Sequence, residues 1–162
     1  MVNPSNFKEF IEDESTKLVN YLFLDLDGTL RASGTNGHAP IKIEDVKVFP
    51  WVHNAIQKYI DLGFTPIGIT NQRYNVETFG KEPVEACINE TLRQIGITFP
   101  VFYARSKAES KPGTYLLDKA VKQFGPANKS VSLMIGDDLQ RDKGVAENFG
   151  IRWLSPEQFR DS

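Results

Sequence analysis

The chain is poor in residues that cross-link a fold or hold soft metals. Among its 162 residues there is one cysteine, Cys87, and there are two histidines, His38 and His53. A single cysteine excludes an internal disulfide and any multi-cysteine zinc site, so no zinc is expected and a reducing compartment is the simplest reading. The two histidines have no metal-ligand spacing. No apolar run approaches the ~18 residues of a membrane span. The opening MVNPSNFKEFIEDESTK lacks the basic-then-apolar pattern of a leader. Together these predict a cytoplasmic protein without a membrane partner. There is no excess of either charge: 19 Lys and Arg stand against 21 Asp and Glu, for a net charge of −2. That removes any global electrostatic pull toward nucleic acid, though it leaves room for a local basic groove. Repeats, low-complexity tracts and linkers are also missing, and the length suits one domain over 1–162.

What is present is alternation. Residues 19–25, 64–70, 99–104, 130–135 and 151–154 read as strands. Between them lie helical patterns opened by Pro50, Pro83 and Pro112 and closed by Gly63, Gly96 and Gly125. A further helix follows Gly136–Asp137–Asp138 through Asn148, and Ser155 caps a last turn. Residues 31–47 read as a loop or flap, and 1–18 as a helical extension outside a core of about 19–154. Pro66 is a mild objection to the second strand. Strands alternating with helices predict a three-layer α/β/α domain with a mainly parallel central sheet.

In such sheets ligands sit at the carboxyl ends of the strands. Three of the predicted strands end in polar residues: Asp25 and Asp27, then Thr70 and Asn71, then Asp137 and Asp138. Two carboxylates one residue apart repel and lose hydration at the mouth of a core, which calls for a cation, a reaction or both. Asp25, Asp27 and Asp137 offer the hard oxygen ligands that Mg²⁺ prefers. Lys111 adds a point charge for a phosphate oxygen, Thr70 a hydroxyl, and the turn at Gly28 backbone N–H groups. Asp25, at the strand end itself, is the better candidate to attack phosphorus. Asp27 is placed to protonate the leaving oxygen and then to deprotonate water.

The ordered set DLDGTL at 25–30, GIT at 68–70, SKPGTYLL around Lys111 and GDDLQRDKGVA at 136–146 resembles the haloacid dehalogenase (HAD) superfamily of phosphohydrolases. The resemblance implies a Rossmann-like HAD fold and a Mg²⁺ cofactor. It implies Asp25 as nucleophile, Asp27 as acid and base, and an aspartyl-phosphate intermediate. Metal ligands would be Asp25, the Asp27 carbonyl and Asp137. Asp138 or Asp142 would support Lys111 and the metal's water shell, and Gly28 and Thr29 belong to the same first motif. About 40 residues separate each of the first three motifs. That leaves no room for a large cap, so an open site is expected.

ITNQ at 69–72 is similar to the branch holding histidinol phosphatase, heptose bisphosphate phosphatase and polynucleotide 3′-phosphatase. DLDGTL, Arg141 and the tail DKGVAENFGIRWLSPEQF most resemble the last of these. The leading expectation is therefore a phosphomonoester at a nucleic-acid 3′ end, with Asn71 and Arg141 binding substrate. The alternatives are a small phosphate such as histidinol phosphate, a sugar phosphate or a nucleotide, and a non-catalytic Mg²⁺ and phosphate-binding module. Arg31, Arg73, Lys81, Arg105, Lys107 and Arg141 are either a phosphate-tracking groove or scattered solvated charge. Trp51, Trp153 and Cys87 read as packing residues.

Overall fold

The computed structural model describes residues 17–34 and 37–162. Apart from residues 17 and 18, the expected helical extension over 1–18 lies outside them. The sheet has five strands: β1 (Tyr21–Leu24), β2 (Thr65–Asn71), β3 (Val101–Ala104), β4 (Leu133–Ile135) and β5 (Arg152–Leu154). Their order is β3-β2-β1-β4-β5 and every pairing is parallel.

The sequence YLFL shows why β1 lies in the middle. Its side chains alternate between faces, and all four are buried. Leu22 and Leu24 pack with α1 (Val52–Asp61), α3 (Lys81–Ile95) and Phe159 of α6 (Pro156–Asp161). Tyr21 and Phe23 pack on the other face with α4 (Tyr115–Phe124) and α5 (Gly144–Phe149). Each such fully buried side chain contributes about 1.5–3 kcal/mol. The three expected layers are therefore present.

Pro66 sits inside β2 because of the register. Thr65 donates its N–H to Asn20 on the β1 side, so the next residue faces the β3 side. Pairing to β3 begins only at Gly68. Pro66 therefore withholds a donor where no strand is waiting.

The helices opened by prolines start elsewhere than expected, α1 at Val52 rather than Pro50. α3 begins at Lys81, with Pro83 in its first turn, where its missing N–H has no carbonyl to meet. Pro112 lies in the turn before α4, which begins at Tyr115. A helix not expected, α2 (Arg73–Phe79), follows β2 directly; its one buried residue is polar, Asn75, so apolar periodicity could not reveal it.

The 31–47 segment, described except at residues 35 and 36, starts from the buried Arg31 and returns to the buried Val46. Ala32 donates its N–H to Lys47 and Phe49 to Leu30, pinning its two ends together. Among the described residues no helix is long and apolar enough to cross a membrane.

Candidate active site

The chain reverses direction across the sheet between β1 and β4, which is where an open parallel sheet leaves a crevice. Asp25 follows β1 and Asp137 follows β4, so the two carboxylates flank that switch point. A cleft of ≈ 590 Å³ opens there, lined by Asp25, Asp27, Thr70, Lys111, Asp137 and Asp142 at its base and by flap residues such as His38 at its mouth.

Lys111 is the hub. Its Nζ donates to Asp25 Oδ1 at 2.9 Å, to Asp142 Oδ1 at 2.7 Å and to the Ile69 carbonyl at 2.8 Å, which uses all three of its protons. Burial pushes the ammonium down, but the carboxylates of Asp25 and Asp142 outweigh burial and hold it above its ordinary value. Asn71 fixes the lysine backbone reciprocally: its Oδ1 accepts from Lys111 N at 2.9 Å and its Nδ2 donates to Lys111 O at 3.1 Å. The Asn71 amide thus meets Lys111 on both sides. Arg141 is exposed on the cleft wall.

Asp25 is buried and accepts from Lys111 and, at 3.0 Å, from Thr29 Oγ1. Burial pushes its carboxyl up to about 8 against the pull of Lys111, and the nearby Asp142 carboxylate adds to the rise. One lysine between two carboxylates leaves a net negative charge in a dry place, and Asp25 carries the strain of it.

Three observations fit a hard dication here. Carboxylate oxygens of Asp25, Asp137 and Asp142 lie within 4.8 Å of one another. Asp142 is engaged on both oxygens, by Lys111 and by the N–H of Asp138 at 3.1 Å, and Asp25 likewise by Lys111 and Thr29, which leaves Asp137, touched by Thr29 Oγ1 at 3.4 Å, as the freest carboxylate. The turn after Asp27 directs its hydrogen bonds to the carbonyls of Leu26 and Arg31, passing over the Asp27 carbonyl. Gly28 makes this cradle possible. Its φ is +80°, and a Cβ there would stand 2.2 Å from Asp137 Oδ2. Gly136 plays the same part for Asp142, whose Cγ lies 2.2 Å from where a Cβ would be.

The sequence left Asp138 and Asp142 as alternative supports for Lys111, and Asp142 is the one in contact. Asp138 Oδ1 instead accepts the N–H groups of Gln140 and Arg141, capping the helical turn Leu139–Lys143. Thr70 Oγ1 accepts from Gln72 Nε2 at 2.9 Å, so its own proton is free to donate.

Of the six basic residues that read as either a groove or scattered charge, three are paired. Arg31 is buried and paired with Asp27 at 2.8 Å. Arg105 pairs with Glu109 and Arg73 with Glu77. Arg73, Lys107, Lys111 and Arg141 line the cleft beside six carboxylates. Trp153 packs against the core and donates to the Gly136 carbonyl, and Cys87 is buried, as expected of packing residues.

Neither Gln72 nor Asn75 stands out in the sequence as a site residue. Gln72 Nε2 donates to Asp27 Oδ2 at 2.9 Å. Asn75 donates to the Ala39 carbonyl and ties the flap to α2, where His38 stacks on Tyr74 with ring centroids 3.9 Å apart.

A parallel sheet with a lysine and buried carboxylates at its carboxyl edge has the charge layout of a phosphoryl-transfer site in an α/β protein. Comparisons narrow it. The HAD-hydrolase-like family profile matches residues 109–155. A probable D-glycero-D-manno-heptose-1,7-bisphosphate 7-phosphatase of Thermoplasma volcanium is 30% identical over 141 residues, covering 80% of this chain and 93% of that protein. The chain belongs to the HAD superfamily and is a phosphatase.

Two solved structures share the fold. The D,D-heptose 1,7-bisphosphate phosphatase from B. bronchiseptica, complexed with magnesium and phosphate, superposes with a TM-score of 0.70 at 20% identity, covering 84% of this chain and 80% of that one. A chain of the Pnkp1/Rnl/Hen1 RNA repair complex superposes with a TM-score of 0.57 at 15% identity, covering 85% and 42%.

Proposed function

We propose that the protein is a Mg²⁺-dependent phosphomonoesterase that works through an aspartyl phosphate, with residues 19–154 as its catalytic core. The observation that carries this is the buried Lys111 between Asp25 and Asp142, with Asp137 within reach of both carboxylates. Asp25, the Asp27 carbonyl and Asp137 would hold the ion. Bound there, Mg²⁺ would offset the surplus negative charge and polarise a phosphate oxygen. Asp25 attacks phosphorus, forming an O–P bond as the ester O–P bond breaks. Asp27 gives its proton to the leaving oxygen, and later takes one from the water that releases phosphate. Thr70 donates to a phosphate oxygen, and Lys111 holds Asp25 and neutralises charge in flight.

For the substrate, a small phosphomonoester with a second anionic group is favoured. Beyond the four carboxylates at its base the cleft wall carries Glu77, which pairs with Arg73, and Asp138, which suits a polyanion track poorly, while Lys107 and Arg141 can meet one further anion. The heptose bisphosphate phosphatase relative supports the same reading. A polynucleotide 3′ end is the second reading. Favouring it are the stacked, exposed His38 and Tyr74 at the mouth, a platform on which a base can stack.

The test is phosphate release from sugar bisphosphates, histidinol phosphate and a 3′-phosphorylated oligonucleotide side by side. Activity should vanish with EDTA and return with Mg²⁺, and kcat/KM should favour a small bisphosphate by about 10²-fold or more, the scale of one charged contact made or lost. A preference for the oligonucleotide would replace the first substrate reading with the second. Activity indifferent to EDTA would remove the metal. Arg141→Ala should lower kcat/KM for the anionic substrate by about 10-fold and leave p-nitrophenyl phosphate nearly unchanged.

A further inference from the structure

The side chain of Arg31 is about 1% exposed, which is unusual for an arginine beside an open cleft. Its guanidinium forks onto Asp27: Nε donates to Oδ1 at 2.8 Å and Nη2 to Oδ2 at 3.3 Å. The far end is held in turn. Nη1 donates to Thr91 Oγ1 at 2.8 Å and to the Cys87 carbonyl at 3.3 Å, both on α3. Thr91 Oγ1 itself donates to that carbonyl at 2.7 Å, which fixes the hydroxyl as an acceptor toward Arg31. Gln72 completes the clamp on Oδ2 at 2.9 Å.

This is more than charge neutralisation. A bidentate fork with its other nitrogen anchored sets both the position and the plane of a carboxyl. Among the described residues, Oδ2 takes two donors and Oδ1 takes one. A carboxyl oxygen has two lone pairs, so Oδ1 is the oxygen that keeps one open.

We infer that Arg31 is a positioning residue for proton transfer. Anchored on α3 and assisted by Gln72, it holds the Asp27 carboxyl so that Oδ1 delivers the proton to the leaving oxygen, and thereby lets the enzyme act on esters with poor leaving groups. This rests on the reading of Asp27 as the acid. In the step concerned, an Asp25 O–P bond forms, the ester O–P bond breaks, and the proton moves from Asp27 Oδ1 to the departing alkoxide. A nitrophenolate departs without that proton; an alkoxide does not.

The experiment compares kcat/KM for an alkyl phosphate and for p-nitrophenyl phosphate, because kcat/KM reports formation of the phosphoenzyme. Wild type, Asp27→Asn, Arg31→Met, Arg31→Lys and Gln72→Met are measured with Mg²⁺. Asp27→Asn should lose about 10²–10⁴-fold on the alkyl ester and far less on the aryl ester. Arg31→Met and Gln72→Met should show the same bias at about 10-fold or more, and Arg31→Lys should not restore it, since an ammonium cannot make the fork. Equal losses on both esters, or none, in the Arg31 and Gln72 variants would overturn the inference while Asp27→Asn keeps its bias. If Arg31→Met fails to fold, Gln72→Met decides, because it leaves the buried ion pair in place. A flat response in Asp27→Asn would overturn the acid assignment itself, and the inference with it.

Discussion

Asp25→Asn should abolish phosphatase turnover, by on the order of 10⁴–10⁶-fold, the scale seen when a covalent nucleophile is removed. It should also leave a metal-free protein more stable than the wild type. Both effects come from one feature, a carboxyl at a buried strand end beside Asp142. The amide cannot form an acyl phosphate, so chemistry stops. It can still accept from Lys111 and meet Thr29 Oγ1, so the local hydrogen bonds survive. What it sheds is the charge. Burial holds the Asp25 carboxyl up to about 8. In the unfolded chain the same group titrates near its ordinary, lower value. Between those two points the folded protein keeps a proton that the unfolded chain has released. The stability this group contributes is therefore complete at low pH and is lost as pH rises through about 8. In EDTA, the Tm advantage of Asp25→Asn should grow from pH 5 to pH 9, reaching about 2 kcal/mol or ~4–8 °C. With Mg²⁺ the wild type should recover, because the cation supplies what burial removed. A substitution that kept turnover would rule out the nucleophile. A Tm difference flat across that range would show that Asp25 is already charge-balanced without metal.

Much of this site was legible because its residues sit at chain landmarks. A strand of four buried residues that ends in Asp25, and a second that ends in Thr70, announce an edge where polar groups converge. The parallel order then follows from the alternation with helices. What stayed hidden depended on partners far along the chain. Arg31 looked like any loop cation, because the Thr91 and Cys87 that bury it lie about 60 residues away. Asp138 and Asp142 were equivalent on paper. They differ because a helical turn places residue 142 under Gly136, where no Cβ intervenes, and leaves residue 138 as its cap. The helix at Arg73–Phe79 carries almost no apolar face, so its work, holding the flap through Asn75 and Tyr74, left no periodic trace.

Those hidden contacts divide the site into two charge systems. Lys111 serves Asp25 and Asp142, while Arg31 serves Asp27. Two carboxylates one residue apart thus stand in separate environments, the usual way to give neighbouring acids different tasks. Asp25 is dry and matched to a lysine that a phosphoryl group can share. Asp27 keeps a side chain about 20% exposed, which suits the acid and base role proposed for it.

Lys111→Met tests the first system, and its cost should be paid in both folding and catalysis. Methionine fills a similar volume, so packing is roughly conserved. The loss is electrostatic. Two buried carboxylates, Asp25 and Asp142, would face each other without the cation that now separates them. Breaking a buried pair from one side costs about 3–5 kcal/mol. In a chain of this length that is roughly 6–20 °C of Tm. The deficit should be largest above neutral pH, where the Asp25 carboxyl, held up by burial, gives up its proton, and should shrink in acid as it takes one back. Mg²⁺ should recover part of the Tm, since it supplies positive charge to Asp25, but not the activity. The developing charge on the phosphoryl oxygens would still lack its ammonium, although Asn71 would go on holding the backbone of residue 111. Turnover should fall about 10³-fold or more even at saturating Mg²⁺. The double variant Lys111→Met with Asp142→Asn removes one of the two facing charges. It should regain stability over the single variant and remain inactive. If the double variant were no more stable, Asp25 and Asp142 would not be the charges that Lys111 holds apart, and the first system would have to be redrawn.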